Sequence, residues 1–280
     1  MGIFELRNKI IRPGIEPFGY SYGTLWTPAE KNAALWLDAT DTDTLSLDVL
    51  ANIQQWSDKS GKGNNFTQST ELKRPDLIRS GGLEMVSFSR AYDQCLVKSS
   101  NSFLNLDDKG GASIFVVFNY HGYVNEGSGI NALFFKGDST STSVSYGFKV
   151  GSSNTLNLKA AADLSRDSDV FTNQKIIVSL IRTDTTASDY TCYVYVNGLS
   201  YGSASDSSTS SDNSNSFYIA GDGVDSRRYS DVDFGELIIL NGSPLEEDRY
   251  RIEGYLAHKW DLEAELPPDH PYKSKPPVIS

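Results

Sequence analysis

The chain has 280 residues, a mass of 30.8 kDa and a formal net charge of −11 at pH 7. This acidic balance argues against binding to nucleic acid or to anionic lipid, because both require a surplus of Lys and Arg. A hydrophobic content of 39% with 13 Phe and 15 Tyr argues against disorder, and no apolar run approaches the roughly 20 residues that span a bilayer. The length fits one large all-β domain or two ordinary domains.

The first 25 residues differ in pattern from the rest of the chain. Residues 3–11 alternate apolar and charged side chains, and Pro13-Gly14 and Pro17 then interrupt any regular element. We therefore expect an N-terminal arm over residues 1–25, which either packs on another molecule or frays. The start lacks the apolar core and cleavage site of a signal peptide, and Leu6 stands where a myristoylation motif has Ser or Thr. A non-secreted protein made in the cytoplasm is the expectation.

Short runs rich in β-branched and aromatic residues dominate from Trp26 onward, and each is bounded by Gly, Asn, Asp or Ser. These runs cover residues 34–37, 111–119, 132–135, 145–150, 155–159, 175–181, 191–196, 216–220 and 235–240. Asn197-Gly198 lies between two alternating segments and predicts a hairpin, since both residues tolerate a positive φ. Because no helical segments alternate with the runs, the pattern predicts an antiparallel all-β sandwich. Residues 200–216 are nearly all Ser, Asp, Asn and Thr and predict an exposed loop.

One segment near the C-terminus has helical character. Ser243-Pro-Leu-Glu246 matches a capping box with Pro at the first helical position, which predicts a helix over residues 244–260. The apolar positions of this helix recur at helical spacing at Leu245, Ile252, Leu256 and Trp260. We expect this stripe to pack on the sandwich, with a partner-binding face as the alternative. Pro267-Pro268 ends regular structure, so the remaining residues predict an extended tail.

Two blocks of sequence carry a resemblance to a known family. The opening block contains Trp26-Thr-Pro-Ala29, Leu35-Trp-Leu-Asp-Ala39, Trp56-Ser-Asp-Lys-Ser-Gly-Lys-Gly-Asn-Asn65 and Arg74-Pro75. The closing block contains Arg251-Ile-Glu-Gly-Tyr-Leu-Ala-His-Lys-Trp260, Leu266-Pro267 and Asp269-His-Pro-Tyr272. Both resemble a phage and bacterial family of concanavalin A-like, laminin-G-type jelly rolls, from about Trp26 to Pro277. The chain departs from that family at Asp261, where Gly is usual, and over Ser87–Asp93, which replaces a more glycine-rich turn.

The resemblance implies a fold and a role. The fold would be an antiparallel jelly-roll β-sandwich over residues 26–280, with one C-terminal α-helix and the extended tail. The role would be that of a non-enzymatic structural or adhesive, lectin-like protein on a head or tail appendage of a phage particle, such as a tail fibre, made in the host cytoplasm. The arm over residues 1–25 would anchor it to other virion proteins, and the loops would face a glycan on the host surface. A capsid decoration or connector protein with only protein partners is the alternative. Phage appendages are commonly trimeric, although no heptad run here indicates a homotrimer.

One turn has the composition of a calcium site. Asp58-Lys-Ser-Gly-Lys-Gly-Asn-Asn65 is rich in oxygen donors, and related laminin-G-type domains often hold calcium in such loops. Asp58, Asn64 and Asn65, together with Glu236 on the last strand, could supply the oxygen ligands that Ca²⁺ needs. The alternative is an Asx-type turn whose side chains accept hydrogen bonds from their own backbone. A structural calcium ion is the one cofactor considered. Cys95 and Cys192 match no metal pattern and are expected to be small hydrophobic side chains in strands, with their pairing left open.

One acidic segment resembles the carboxylate pair of a glycosidase. In Asp231-Val-Asp233-Phe-Gly-Glu236, the alternation of a strand puts Asp231 and Asp233 on one face, and a bulge at Gly235 would return Glu236 to it. Three features argue against catalysis: an Asp where the glycosidase motif has Glu, the fit of the segment to an ordinary last strand, and no neighbouring Trp to bind a sugar. We therefore expect no enzyme, with a glycoside hydrolase using Asp231 and Glu236 as the weaker alternative.

Two loops combine aromatic rings with polar groups, which is the composition that sugar sites use. The first contains Tyr120, His121, Tyr123 and Asn125, and the second contains Asp222, Asp225, Arg227, Arg228 and Tyr229. Each group is equally compatible with a solvated loop. The net negative charge favours neutral sugars over anionic ones, because like charges repel at range.

Overall fold

The computed structural model describes residues 24–99, 111–122, 130–136, 146–151, 155–159, 164–167, 172–184, 190–206, 215–221 and 228–279. In these residues the strands are β1 Leu35–Asp38, β2 Leu45–Leu47, β3 Ile53–Trp56, β4 Phe66–Thr67, β5 Asp76–Ser80, β6 Leu83–Phe88, β7 Leu96–Lys98, β8 Ala112–Tyr120, β9 Ile130–Lys136, β10 Tyr146–Gly151, β11 Thr155–Lys159, β12 Leu164–Asp167, β13 Lys175–Asp184, β14 Tyr190–Val196, β15 Leu199–Asp206, β16 Phe217–Ile219 and β17 Val232–Asn241. An α-helix, α1, covers Glu246–Lys259. Short 3₁₀ helices cover Pro28–Lys31, Thr42–Thr44, Glu71–Lys73, Arg90–Tyr92 and Glu263–Glu265.

The strands form two antiparallel sheets, so the predicted all-β sandwich is confirmed. Sheet A has the order β15-β14-β13-β8-β17-β6-β5, and β1 pairs with the C-terminal half of β17 beside β6. Sheet B has the order β12-β11-β10-β9-β16-β7-β4-β3-β2. The strands β2 to β7 lie between residues 45 and 98, where the apolar runs predicted no separate strand, because each is short and none is buried along its whole length.

The core has two parts, one on each side of sheet A. Along β8, Val116 and Phe118 point between the sheets, whereas Phe115 and Val117 point outward and are covered by α1. Aromatic rings fill the space between the sheets, with Phe118 and Phe134 both within 6 Å of Phe148, centroid to centroid. Because both faces of β8 are buried, the strand reads as a continuous apolar run rather than an alternating one.

The helix packs as predicted, but its start differs from the predicted capping box. It begins at Glu246, two residues after Pro244, and Leu245 occupies the N-cap without a side-chain hydrogen bond. The carbonyl of Leu245 accepts from the backbone of Asp248, and the acidic first turn, from Glu246 to Asp248, complements the helix dipole in place of a cap. Leu245 is exposed, but Ile252, Leu256 and Trp260 are buried against sheet A, which confirms the docked apolar face. In the described residues no helix has the length and hydropathy to cross a membrane.

Turns and ends follow the sequence pattern with one correction. Asn197 and Gly198 both have positive φ, 48° and 78°, and close the hairpin between β14 and β15 as predicted. Residues 199–206 form the edge strand β15 rather than the start of a loop, because Tyr201 and Ala204 pack against the core. Residues 207–214 of that predicted loop, and residues 1–23 of the predicted arm, lie outside the described residues. The tail returns to the start of the sandwich, where the backbone N–H of Trp26 donates to the carbonyl of Pro277.

Candidate functional site

The two loops predicted to bind a ligand begin next to each other at one end of sheet A. Val232, the first residue of β17, pairs with Tyr120, the last residue of β8. Just beyond this pair, the backbone N–H of His121 donates to the carbonyl of Asp231, 3.0 Å away. The described residues directly after β8 and at the start of β17 therefore lie on one surface, which we call the loop end and define by Arg90, His121, Asp231 and Asp233.

An exposed imidazole is held by a buried carboxylate at the loop end. The Nε2 atom of His121 lies 2.8 Å from Oδ2 of Asp233, and the exposed fractions of the two side chains are 36% and 6%. An ionised carboxylate only accepts hydrogen bonds, so the tautomer of the neutral ring that satisfies this contact carries its proton on Nε2 and leaves Nδ1 as an acceptor. Asp231 is fixed as well, because its Oδ1 accepts from the backbone N–H of Arg90 at 2.9 Å. The arrangement presents an oriented acceptor to a ligand hydroxyl.

Two other predicted ligand residues, Tyr120 and Tyr229, are buried and not available on this surface. Tyr120 is fully buried and its hydroxyl donates to Oδ1 of Asn131. Tyr229 is buried beneath Lys73, whose Nζ lies 5.9 Å from the ring centroid, and Arg228 is half-buried. Both tyrosine side chains fill the interior, so neither ring is exposed to a ligand in this structure, and ligand binding by the two loops stays a prediction. The remaining predicted residues, Tyr123, Asn125, Asp222, Asp225 and Arg227, lie outside the described residues.

The predicted bulge at Gly235 is present and brings Glu236 to the outer face of sheet A with Asp233. The register between β17 and β8 shifts between Phe234 and Glu236, so Phe234 points inward and Glu236 points outward. Glu236 is nevertheless fully buried under α1. Its Oε1 accepts from Nε1 of Trp36 at 2.7 Å and from the hydroxyl of Tyr255 at 2.9 Å, and its Oε2 accepts from Nζ of Lys259 at 2.7 Å and Nε1 of Trp260 at 2.9 Å. The carboxylate joins the helix to the sheet.

A second buried carboxylate extends this network. Lys259 also lies 2.7 Å from Oδ1 of Asp38, and Lys59 lies 2.7 Å from Oδ2 of the same side chain. Burial by itself would raise the pKa of Asp38, but the two ammonium groups outweigh it and hold the pKa well below its usual range. Burial and the charge of Glu236 raise the pKa of Tyr255, so its hydroxyl stays a donor. We call this network of Glu236, Asp38, Lys59 and Lys259 the latch, because it holds α1 on sheet A.

The turn considered for calcium has the hydrogen bonds of an Asx-type turn. Oδ1 of Asp58 accepts from the backbone N–H groups of Trp36 and Ser60 at 3.0 and 2.8 Å, and Oδ2 accepts from the N–H of Asn64 at 3.0 Å. Oδ1 of Asn65 accepts from the N–H of Asp58 itself, 3.0 Å away. Among the described residues no group of three or more His, Cys, Asp or Glu side chains is arranged to hold a metal. These contacts match the turn alternative, and calcium stays a prediction.

The two cysteines are buried and form no disulfide. Cys95 precedes β7 in sheet B, whereas Cys192 lies on β14 in sheet A. Burial raises the pKa of Cys95 to about 11. Both side chains are buried as predicted, but only Cys192 lies in a strand, because Cys95 directly precedes one.

Sequence reasoning missed a cleft on the outer face of sheet A. Tyr193 and Tyr195 are alternate residues of β14, and α1 begins beside them, so that Arg249 covers the ring of Tyr195 at 3.9 Å. The alternating tyrosines were the available signal. Their proximity to the start of α1, more than 40 residues later in the sequence, could not be read from the pattern.

Comparison with known proteins supports the fold. No protein-family profile and no curated protein sequence matches the chain. Among solved structures it is similar to the Trypanosoma rangeli sialidase in complex with sialic acid, with 14% identity, a TM-score of 0.56, and coverage of 92% of this chain and 37% of that one. It is similar to the botulinum neurotoxin serotype G binding domain, with 11% identity, a TM-score of 0.54, and coverage of 83% and 51%. It is also similar to the binding domain of Paraclostridial Mosquitocidal Protein 1, with 11% identity, a TM-score of 0.55, and coverage of 85% and 53%. The chain thus spans between a third and about half of these structures, and identities this low show the fold alone.

Proposed function

We propose that this protein is a non-enzymatic adhesive module of a bacteriophage particle, which binds a neutral glycan on the host surface through the loop end. The observation that carries the proposal is the exposed imidazole of His121, oriented by the buried carboxylate of Asp233 at 2.8 Å. An oriented acceptor that is already desolvated on one side suits a sugar hydroxyl, because little side-chain freedom is lost on binding. The phage context rests on the sequence resemblance of the opening and closing blocks.

The shape and charge of the molecule support a binding role. A sandwich with a buried double core is a rigid support from which loops can present ligand groups. Two of the similar solved structures are described as binding domains, one of a botulinum neurotoxin and one of a mosquitocidal protein. A net charge of −11 disfavours anionic ligands at range and leaves neutral sugars as the favoured class.

The burial of Glu236 argues against the glycosidase alternative. A retaining glycosidase needs two carboxylates that both reach the scissile bond, about 5–5.5 Å apart. Glu236 has no exposed surface and accepts four hydrogen bonds from buried donors, and Oδ1 of its predicted partner Asp231 accepts from the backbone N–H of Arg90. A hydrolase at this position would require α1 to leave sheet A.

A protein partner is the second candidate, and exposed apolar loops favour it. Val49 is 97% exposed and Leu50 and Leu72 are also largely exposed, at the turn between β2 and β3 and on the 3₁₀ helix after β4. An ion pair of 2.9 Å between Arg74 and Asp48 joins these two segments. Grouped apolar side chains on a rigid surface are typical of protein interfaces, which suits a capsid decoration or connector protein.

A glycan array tests the primary proposal. We expect the full chain to bind at least one neutral glycan, with the same spots in calcium and in EDTA if the Asp58 turn is structural. His121→Ala should weaken the strongest spot by about tenfold or more, because one oriented acceptor and its ring contact are lost. Lys62→Ala, an exposed change on the Asp58 turn, is the control and should leave binding unchanged. No bound glycan in either buffer would overturn the proposal and leave the protein-partner alternative.

The particle itself tests the phage context. We expect the chain to be found on the surface of the intact particle and to be lost when residues 1–25 are deleted. Unchanged occupancy after that deletion would refute the anchoring role of the arm, while leaving glycan binding to be judged by the array.

A further inference from the structure

A cleft of about 190 Å³ lies on the outer face of sheet A, between β13, β14 and the start of α1. Its floor consists of Tyr193 and Tyr195 with Thr183 beside them, and its other wall is formed by Pro244 and Glu246. The volume is below the range of about 300–1,000 Å³ that drug-sized ligands occupy. The cleft therefore fits one small ring rather than an extended ligand. It lies on a different part of sheet A from the loop end, beside the start of α1.

The aromatic floor is open to a ligand. Cys192 and Val194 point into the core, so the alternation of β14 turns Tyr193 and Tyr195 outward. Tyr193 is 39% exposed. A tyrosine ring that lies on a strand and is exposed at one face offers a flat apolar surface with a hydroxyl at its edge.

The wall of the cleft is held rigidly. The guanidinium of Arg249 lies between the rings of Tyr195 and Tyr250, 3.9 and 4.2 Å from their centroids. Its Nη1 donates to Oε2 of Glu253 at 2.8 Å, and its Nη2 donates to Oε1 of Glu246 at 3.4 Å. The hydroxyl of Tyr250 donates to the same atom of Glu246 at 2.9 Å. The cation of Arg249 is thus matched by two carboxylates, so the cleft has no surplus positive charge for an anion.

Polar groups continue beyond the cleft along the same face. Thr191 lies two residues before Tyr193 and its hydroxyl is 2.8 Å from that of Ser205 on β15. Ser203, which pairs with Tyr193 across β14 and β15, is exposed as well. A row of hydroxyls beside an aromatic ring matches the alternating apolar faces and hydroxyl edges of a sugar chain.

We propose that this cleft binds one pyranose ring of a neutral oligosaccharide, stacked on Tyr193, with a ring hydroxyl donating to the carboxylate of Glu246. The next sugar of the chain would lie over Thr191 and Ser205. This inference rests on the proposed function, since it assigns a second contact surface to the same class of ligand. It differs from that proposal in its residues and can fail separately.

The test uses the full chain and a panel of neutral oligosaccharides of glucose, galactose, mannose and N-acetylglucosamine, with affinities measured by calorimetry. We expect Tyr193→Ala to weaken binding by about tenfold or more, because stacking on the ring is lost. Tyr193→Phe should stay within about threefold, because it keeps the ring and loses only the hydroxyl. Tyr218→Ala is the control. It removes a half-buried tyrosine from the outer face of sheet B, where its neighbours Phe217 and Ile219 point into the core, and it should leave binding unchanged.

The outcomes separate this inference from the proposed function. If His121→Ala weakens binding and Tyr193→Ala does not, the cleft assignment is overturned while the loop end stands. If Tyr193→Ala weakens binding and His121→Ala does not, the cleft stands and the loop end is overturned. If no neutral oligosaccharide of the panel binds, the cleft assignment is overturned. Circular dichroism of each variant confirms that a loss of binding is not a loss of fold.

Discussion

Replacing Glu236 by Gln tests the buried latch between α1 and sheet A. The side chain is fully buried and each of its oxygen atoms accepts two hydrogen bonds. A carboxamide has one oxygen, so two of the four donors would face an NH₂ group instead of an acceptor. Losing two hydrogen bonds to a charged group costs about 1.5–3 kcal/mol each. Breaking a buried ion pair by removing one partner costs a similar total, about 3–5 kcal/mol.

We therefore expect Glu236→Gln to lower the free energy of unfolding by about 3–5 kcal/mol, a large part of the ~5–15 kcal/mol that holds an ordinary domain together. Urea unfolding followed by tryptophan fluorescence measures it, since Trp36 and Trp260 both contact this carboxylate. Glu247→Gln is the control, because Glu247 is exposed and pairs with Arg251 only one helical turn away. That change should cost less than about 0.5 kcal/mol. A decrease in the free energy of unfolding below about 1 kcal/mol for Glu236→Gln would refute the role of the latch. If the parent protein releases sugar from a glycan and the stable Glu236→Gln variant does not, that result would favour the glycosidase alternative.

Three further predictions concern the same structure. Because the folded-state pKa of Asp38 lies below the unfolded value of about 3.9, its contribution to stability is complete above that pH and is lost as the pH falls further. The urea concentration at the unfolding midpoint should thus fall less steeply between pH 5 and pH 3 in Asp38→Asn than in the parent protein. An equal dependence of the midpoint on pH in the two proteins would contradict this. Cys95 and Cys192 should resist iodoacetamide at pH 8 in the folded protein and react with it in concentrated urea, with the number of labelled thiols counted by mass spectrometry. Rapid labelling of the folded protein would contradict the burial of the thiols. Gly254→Ala should lower the free energy of unfolding by about 1–3 kcal/mol, because the added methyl group meets the Cβ of Tyr272 in the tail. Alanine has the better helix propensity, so a raised melting temperature would refute that contact.

Much of the architecture follows from local pattern. The hairpin at Asn197-Gly198, the buried β8 and the amphipathic C-terminal helix are visible because turn residues and apolar periodicity act over a few neighbours. Local pattern also misled at two points. Residues 243–246 have the letters of a capping box, but Leu245 occupies the cap, and residues 200–206 have a polar composition, but Tyr201 gives them enough apolar contact to form an edge strand.

The candidate sites required the tertiary structure, because their partners are far apart in the chain. Trp36 and Glu236 are separated by 200 residues, and His121 and Asp233 by 112. The periodicity of the sequence does not predict that α1 buries the carboxylate of Glu236. Nor does it predict that the imidazole of His121 contacts the carboxylate of Asp233. The β strands and the docked helix could be predicted from the sequence, since both depend on short-range pattern. The packing of the two sheets and α1 sets which acidic side chains are buried and which surfaces remain exposed. Burial is a property of the assembled layers, so it could not be predicted from the sequence pattern.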